Sequence, residues 1–292
     1  MDFATYLPYI TFGQAIVALL SRTVSLCFIS RLLCVTRKLF LPPNGNLSYC
    51  LAVYLIFNWI MACLHLPYLV YIIAKTTSNL AHPTYEPYEI FWLELWPSVL
   101  FSCAGIPVIF LSVDRCLAIR LLTRYTSQVK VKLVIAEIVL SAIVAGTCFA
   151  FFLQELPLSM STSCTSLPCL SIKFRAFQLT IPKLMLSAVS VSAGIVFLFF
   201  MGNVDFKLMR NRVVKYTVIL DFVMNVVPIC SSLIFNLCTG VSVTSYLGEY
   251  SPTLNTVESA ILSVYYYRVL VWRRKQNVTI NKMVSLQATT VI

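Results

Sequence analysis

Asp114 and Arg115 adjoin in the run Ser112-Val113-Asp114-Arg115-Cys116-Leu117-Ala118-Ile119-Arg120. An acid beside a guanidinium, at the end of a long apolar stretch, can serve as a restraint: the carboxylate holds the cation until something draws it away. Charge at a membrane span is costly and is usually kept for function. A plainer reading stands next to it, in which Arg115 is an interfacial arginine that lays its apolar stem along lipid and leaves its head in water. The chemistry on offer is ion pairing, not bond making. The two histidines, His65 and His82, have no metal-ligand spacing, and no nucleotide loop or intramembrane protease motif is present. No catalytic residue, metal or cofactor is expected, and the chain does not read as an enzyme.

The elements that position this pair follow from composition. Of the 292 residues, 59% are hydrophobic and 11% charged, against roughly 25% charged in soluble domains. Mean hydropathy is +0.84. A bilayer core is crossed by about 20 apolar residues in a helix, and seven such stretches can be placed by their apolar runs and punctuation. They run approximately over 9–33, 47–73, 89–119, 131–153, 182–201, 216–238 and 252–272. Leu41-Pro42-Pro43-Asn44-Gly45 separates the first two, and His82-Pro83 with Glu86-Pro87 separates the second and third. Pro97, Pro107 and Pro228 fall inside spans and are expected to kink them. The expected fold is an all-α membrane protein, a seven-transmembrane bundle over 1–275 with a short disordered tail at 276–292. No internal repeat is visible.

Basic residues orient the bundle. One set of loops holds Arg37, Lys38, Arg120, Arg124, Lys130, Lys132, Lys207, Arg210, Arg212 and Lys215, and the tail adds Arg273, Arg274, Lys275 and Lys282. The opposite set holds Lys75, Lys173, Arg175 and Lys183. That asymmetry places the N-terminus outside and the C-terminus in the cytoplasm. The net charge of +11 reads as topology and attraction to anionic lipid, not as nucleic-acid binding, because it is split among four segments. The N-terminus carries Asp2 and no basic stretch, so the first span reads as an uncleaved signal anchor. The sequons at Asn46 and Asn277 fall on the cytoplasmic side and are expected to stay unmodified. Most cysteines lie within spans. Cys164 and Cys169 fall in an outer loop, where a local disulfide and a pair of free thiols are both open.

Other ionisable residues lie within spans. Arg22 is near the middle of the first, Asp221 a turn into the sixth and Glu258 in the outer part of the seventh. Such groups face the bundle and find partners. For Arg22 these could be Asp221 or the polar Asn58 and Asn225. Glu137, near the inner end of the fourth span, is expected at the interface. A ligand pocket between helices would be lined by aromatics with a few polar groups. Trp92, Glu94, Trp96, His65, Tyr68 and Glu258 are the candidates, with Glu94 foremost. The aromatics equally suit the interfacial belt of any membrane protein.

Seven spans, short loops and the Asp114-Arg115-Cys116-Leu117-Ala118-Ile119 segment resemble a G-protein-coupled receptor, with Cys116 where the rhodopsin-like Asp-Arg-Tyr pattern has its Tyr. In size and apolar character the chain looks most like the nematode serpentine chemoreceptors, and among those the Srbc type. The resemblance implies that Asp114 restrains Arg115 at rest. It also implies that Arg115, on release, enters a crevice that receives the G-protein tail, with Arg120, Arg124, Arg210 and Arg212 forming a docking surface. The same basic loops could merely set topology. The implied partners are a small-molecule ligand, a heterotrimeric G protein and membrane lipid, and the implied location is the plasma membrane of a sensory neuron, at its cilium. The chain departs from the rhodopsin-like pattern in the third span, which has no outer Cys, and in the seventh, which has no Asn-Pro-x-x-Tyr. Asn58 stands nine residues before Pro67, where many such receptors carry a sodium-binding Asp. Two other classes stay open: an inverted seven-helix ligand-gated channel, opposed by the basic-residue count, and a small-solute transporter, opposed by the odd span number and missing repeats.

Overall fold

The computed structural model describes residues 3–40, 48–78, 85–121, 124–156, 166–170, 177–202, 209–239, 248 and 250–272. Among the described residues the regular structure is helical and no strand occurs. The helices are α1 (Phe3–Phe40), α2 (Tyr49–Ser78), α3 (Pro87–Cys103), α4 (Gly105–Leu121), α5 (Ser127–Leu153), the short α6 (Leu167–Leu170), α7 (Phe177–Gly202), α8 (Met209–Asp221), α9 (Val227–Thr239) and α10 (Tyr250–Tyr267). Two five-residue π-helices, Phe222–Val226 and Arg268–Trp272, follow α8 and α10.

Six helical stretches are long and apolar enough to cross a membrane: Tyr6–Val35, Tyr49–Ser78, Pro87–Leu121, Ser127–Leu153, Pro182–Phe200 and Val213–Phe235. This is the architecture of a membrane-integral protein. The expected seventh stretch is also helical, as α10, but it carries Asn255, Thr256, Glu258, Ser259 and Ser263 and is not among those six. It lies along α1, which also packs on α2, while α4 lies along α7. Large apolar residues point outward around the perimeter, including Ile135, Ile138, Ile143, Ile195, Phe199 and Ile234. An apolar exterior suits lipid and would be a liability in water.

Two of the three expected prolines lie where the long helices deviate, while Pro97 sits inside the unbroken α3. The third stretch breaks at Ala104, between α3 and α4, three residues before Pro107. Pro107 has no N–H to offer the Cys103 carbonyl, and the chain tightens instead, the Ala104 N–H donating to Phe101 O at 3.3 Å. The sixth stretch widens before Pro228, which leaves the Met224 carbonyl without its usual donor. The Val227 N–H reaches back five residues to Phe222 O, which makes the π-turn.

One close approach depends on glycine. A Cβ on Gly194 of α7 would lie 2.6 Å from Val218 Cγ1 of α8. Gly194→Leu is expected to separate these helices and lower stability by about 1–3 kcal/mol. Gly146→Leu, at a site with nothing within 4 Å, is the control. Thermal unfolding in detergent reads the difference, and equal midpoints for the two variants would contradict the close packing.

Candidate functional site

The Asp114 carboxylate, 1% exposed, is surrounded by donors from three segments. Arg115 Nε donates to Oδ2 at 2.9 Å and its Nη2 bonds the same oxygen. Ser48, at the start of α2, donates to Oδ2 at 2.6 Å. Tyr125, between α4 and α5, donates to Oδ1. Three of the four donors crowd Oδ2 and one reaches Oδ1, which keeps a lone pair to spare. Arg115 itself is 5% exposed, and the pair is the ion pair found among the described residues. Neighbouring positions on a helix do not ordinarily face each other. The guanidinium therefore folds back along α4, and Ser48 and Tyr125 fix the carboxylate that receives it. An exposed snorkelling arginine would have its head in water, and this one does not.

Burial, and then the hydrogen bond to Asp114, push the Tyr125 phenol above its ordinary value of about 10. An unfolded tyrosine ionises near that value while Tyr125 in the fold keeps its proton. The contribution is therefore flat below about pH 10 and turns destabilising above it, because the unfolded chain sheds the proton first. Tyr125→Phe is expected to lessen the loss of stability above that pH. An alkaline limb identical in the two proteins would contradict the bond.

A second polar assembly lies deeper. Arg22, 1% exposed, donates from Nε to His65 Nδ1 at 3.3 Å and from Nη2 to Asn255 Oδ1 at 3.2 Å. Asn255 donates to Asn225 Oδ1 at 3.3 Å. The Asn225 amide donates to Asp221 at 2.9 Å and to Glu258. Ser190 of α7 donates to Asp221 at 3.1 Å. The π-turn carries Asn225 into this chain. Arg22 therefore pairs through His65 and Asn255, with the Glu258 charge acting on it through space; Asp221 and Asn58 are not its hydrogen-bond partners. Two narrow clefts flank the assembly. One, of about 30 Å³, is lined by Phe101, Lys183, Ser187, Ser190, Asp221 and Asn225. The other, of about 20 Å³, is lined by Tyr54, Asn58, Asn225, Asn255 and Glu258 among others.

The expected ligand residues are brought together only in part: His65 and Tyr68 line one cleft, and the others lie apart from it. Trp92 and Trp96 are 50% and 47% exposed on the outer face of α3, and Trp96 stacks on Phe149 of α5 at 5.1 Å. They fit the belt reading. Glu94 is buried, but it accepts from Ser98 at 3.3 Å and from the Leu167 backbone N–H. It thus ties α6, beyond α5, to α3. Tyr68 stacks on His65 at 5.6 Å. Of the six, His65 and Glu258 join the buried assembly. Lys183, read as a loop residue, lies in α7 with its ammonium 3.5 Å over the Phe101 ring. Glu137, expected at the interface, is 0% exposed, because its face of α5 turns toward Cys50 and Asp114.

On the cytoplasmic candidates, Arg120 and Arg124 are exposed. Arg210 and Arg212 lie in α8, and their side chains, with Cys164, the side chain of Cys169, Asn46, Asn277 and the tail, lie outside the described residues. Sequence reasoning missed Ser48, Tyr125 and the inward Glu137. Each is a common residue type with no local signal, and each acquires its role only by contact between distant segments.

Between the two polar groups lies an apolar core that includes Tyr54, Leu55, Val108, Leu111, Phe197, Val218 and Tyr266. Tyr54 and Tyr266 meet edge to face at 6.0 Å, and Tyr266 shares a hydrogen bond with Thr217. Thr217 is one helical turn from Asp221, and Tyr54 one turn from Cys50 beside Asp114. Comparison with protein-family models and with curated proteins returns no match.

Proposed function

We propose that the protein is a chemosensory G-protein-coupled receptor with α10 as its seventh span, the N-terminus outside and the C-terminus cytoplasmic. A small molecule enters the bundle, and a heterotrimeric G protein docks where Arg115 is released. The observation that carries this reading is the buried Arg115, held by a carboxylate that also accepts from Ser48 and Tyr125. A buried ion pair is poor support for stability, and its better-attested use is in a switch. The apolar core that joins this pair to Asp221 and Glu258 supports coupling between a ligand that widens the narrow clefts beside those acids and the cytoplasmic end. A ligand shifts such an equilibrium only by binding one state better than the other. The location that follows is the plasma membrane of a sensory cell.

The test is nucleotide exchange. Vesicles holding the full chain are mixed with heterotrimeric G proteins and screened with volatile and water-soluble small molecules. At least one compound is expected to accelerate exchange over protein-free vesicles. Compound-dependent ion conductance without exchange would favour the channel, and compound uptake without exchange would favour the transporter.

A further inference from the structure

Glu137 has no use in the arrangement around Asp114, and its surroundings are unusual. It is 0% exposed, and neither carboxylate oxygen accepts a hydrogen bond. The Cys50 thiol of α2 faces it, and a thiol is a weak donor. An ionised carboxylate buried without a donor costs several kcal/mol, and native structures contain few such groups. The charges that act on Glu137 and Cys50 come from α4: Asp114 bears on both, and Arg115 bears on Cys50. Cys50 is thus bordered by two carboxylates and one guanidinium. One carboxylate holds four N–H and O–H donors and the other has none.

We propose that Glu137 is the second acceptor of Arg115: when the guanidinium leaves Asp114, it docks on Glu137. The inventory of donors makes the two arrangements comparable. Asp114 abandoned by Arg115 still keeps Ser48 at 2.6 Å and the Tyr125 hydroxyl. Glu137 without Arg115 has neither. Moving the cation therefore satisfies the emptier acid and leaves the other partly satisfied, which is the near balance that a two-state element requires. Glu137 is here a positioning residue, and the proposal rests on reading Asp114-Arg115 as a switch.

The test is a pair of double-mutant cycles by thermal unfolding of the purified full chain. Arg115→Gln and Glu137→Gln are combined in the native background and again in an Asp114→Asn background. Their effects are expected to be near additive in the first, where Arg115 is on Asp114. In the second they are expected to be non-additive by about 3 °C or more, because the guanidinium has moved to Glu137. Additive effects in both backgrounds would overturn the proposal, as would equal coupling in both. Where the Asp114→Asn protein fails to fold, Asp114→Ser, which removes the charge but leaves an oxygen for the Ser48 and Tyr125 hydroxyls, carries the same expectation. Basal nucleotide exchange separates the two levels of the argument. Asp114→Asn is expected to raise it and added Glu137→Gln to lower it again. Coupling without any exchange would support the second acceptor and refute the receptor.

Discussion

Arg115→Ala is expected to abolish agonist-driven nucleotide exchange while surface expression stays within about twofold of the native protein. The asymmetry of the pair sets both halves of this expectation. Truncating one member of a buried ion pair typically costs about 3–5 kcal/mol, because the other charge is left unpaired. Asp114, however, keeps the Ser48 and Tyr125 hydroxyls as donors, so the cost of losing Arg115 falls at or below the low end of that range. Signalling has no such substitute, since Arg120 and Arg124 are exposed and outside the restrained site. The reciprocal change, Asp114→Ala, removes the acceptor of two Arg115 bonds and is expected to reduce surface expression more. Radioligand-independent surface labelling and exchange assays on the same cells separate the effects. Native exchange in Arg115→Ala would remove the switch.

Arg22→Met is expected to cost about 1–3 kcal/mol, enough to lower the yield of folded protein. Its guanidinium is 1% exposed and links α1 to α2 through His65 and to α10 through Asn255. It is also the cation that acts on Glu258, which is buried near a second acid, Asp221. Methionine fills much of the volume but leaves His65 and Asn255 without a donor and the acids without a countercharge. Adding Glu258→Gln is expected to recover about 1–2 kcal/mol of the loss, because it removes the acid that Arg22 offsets. Thermal unfolding of the purified protein checks both values. A fully additive double variant would mean that Arg22 acts through its hydrogen bonds alone.

Helix placement was legible in the sequence because membrane spans obey one strong constraint: every backbone polar group must be satisfied within the helix. Twenty-residue apolar runs therefore translate directly into α1, α2, α5 and α7. The helix breaks were partly legible. Pro107 and Pro228 marked the right neighbourhoods, but the tight turn at Ala104 and the π-turn at Phe222–Val226 are separate responses to the same missing N–H. Side-chain partners were less legible. Intramembrane Arg22, Asp221 and Glu258 could be recognised as bundle-facing groups in need of partners, yet the bridging groups, Asn225, Asn255 and His65, depend on the rotation of four helices. Glu94 was singled out for its depth, and the partner its carboxylate takes, the start of α6, was not legible. The motif Asp114-Arg115 was visible, and its hydroxyl donors were not, since Ser48 lies 66 residues away in the chain.

The most direct test of a cytoplasmic Arg115 switch is the accessibility of epitope tags at the two termini in intact cells, with glycosidase sensitivity measured alongside. An N-terminal tag open to antibody, a C-terminal tag reached only after permeabilisation, and no glycan at Asn46 or Asn277 are the expected results. A C-terminus exposed on intact cells, or a glycan on either asparagine, would place Asp114 and Arg115 on the wrong side of the membrane and contradict the mechanism.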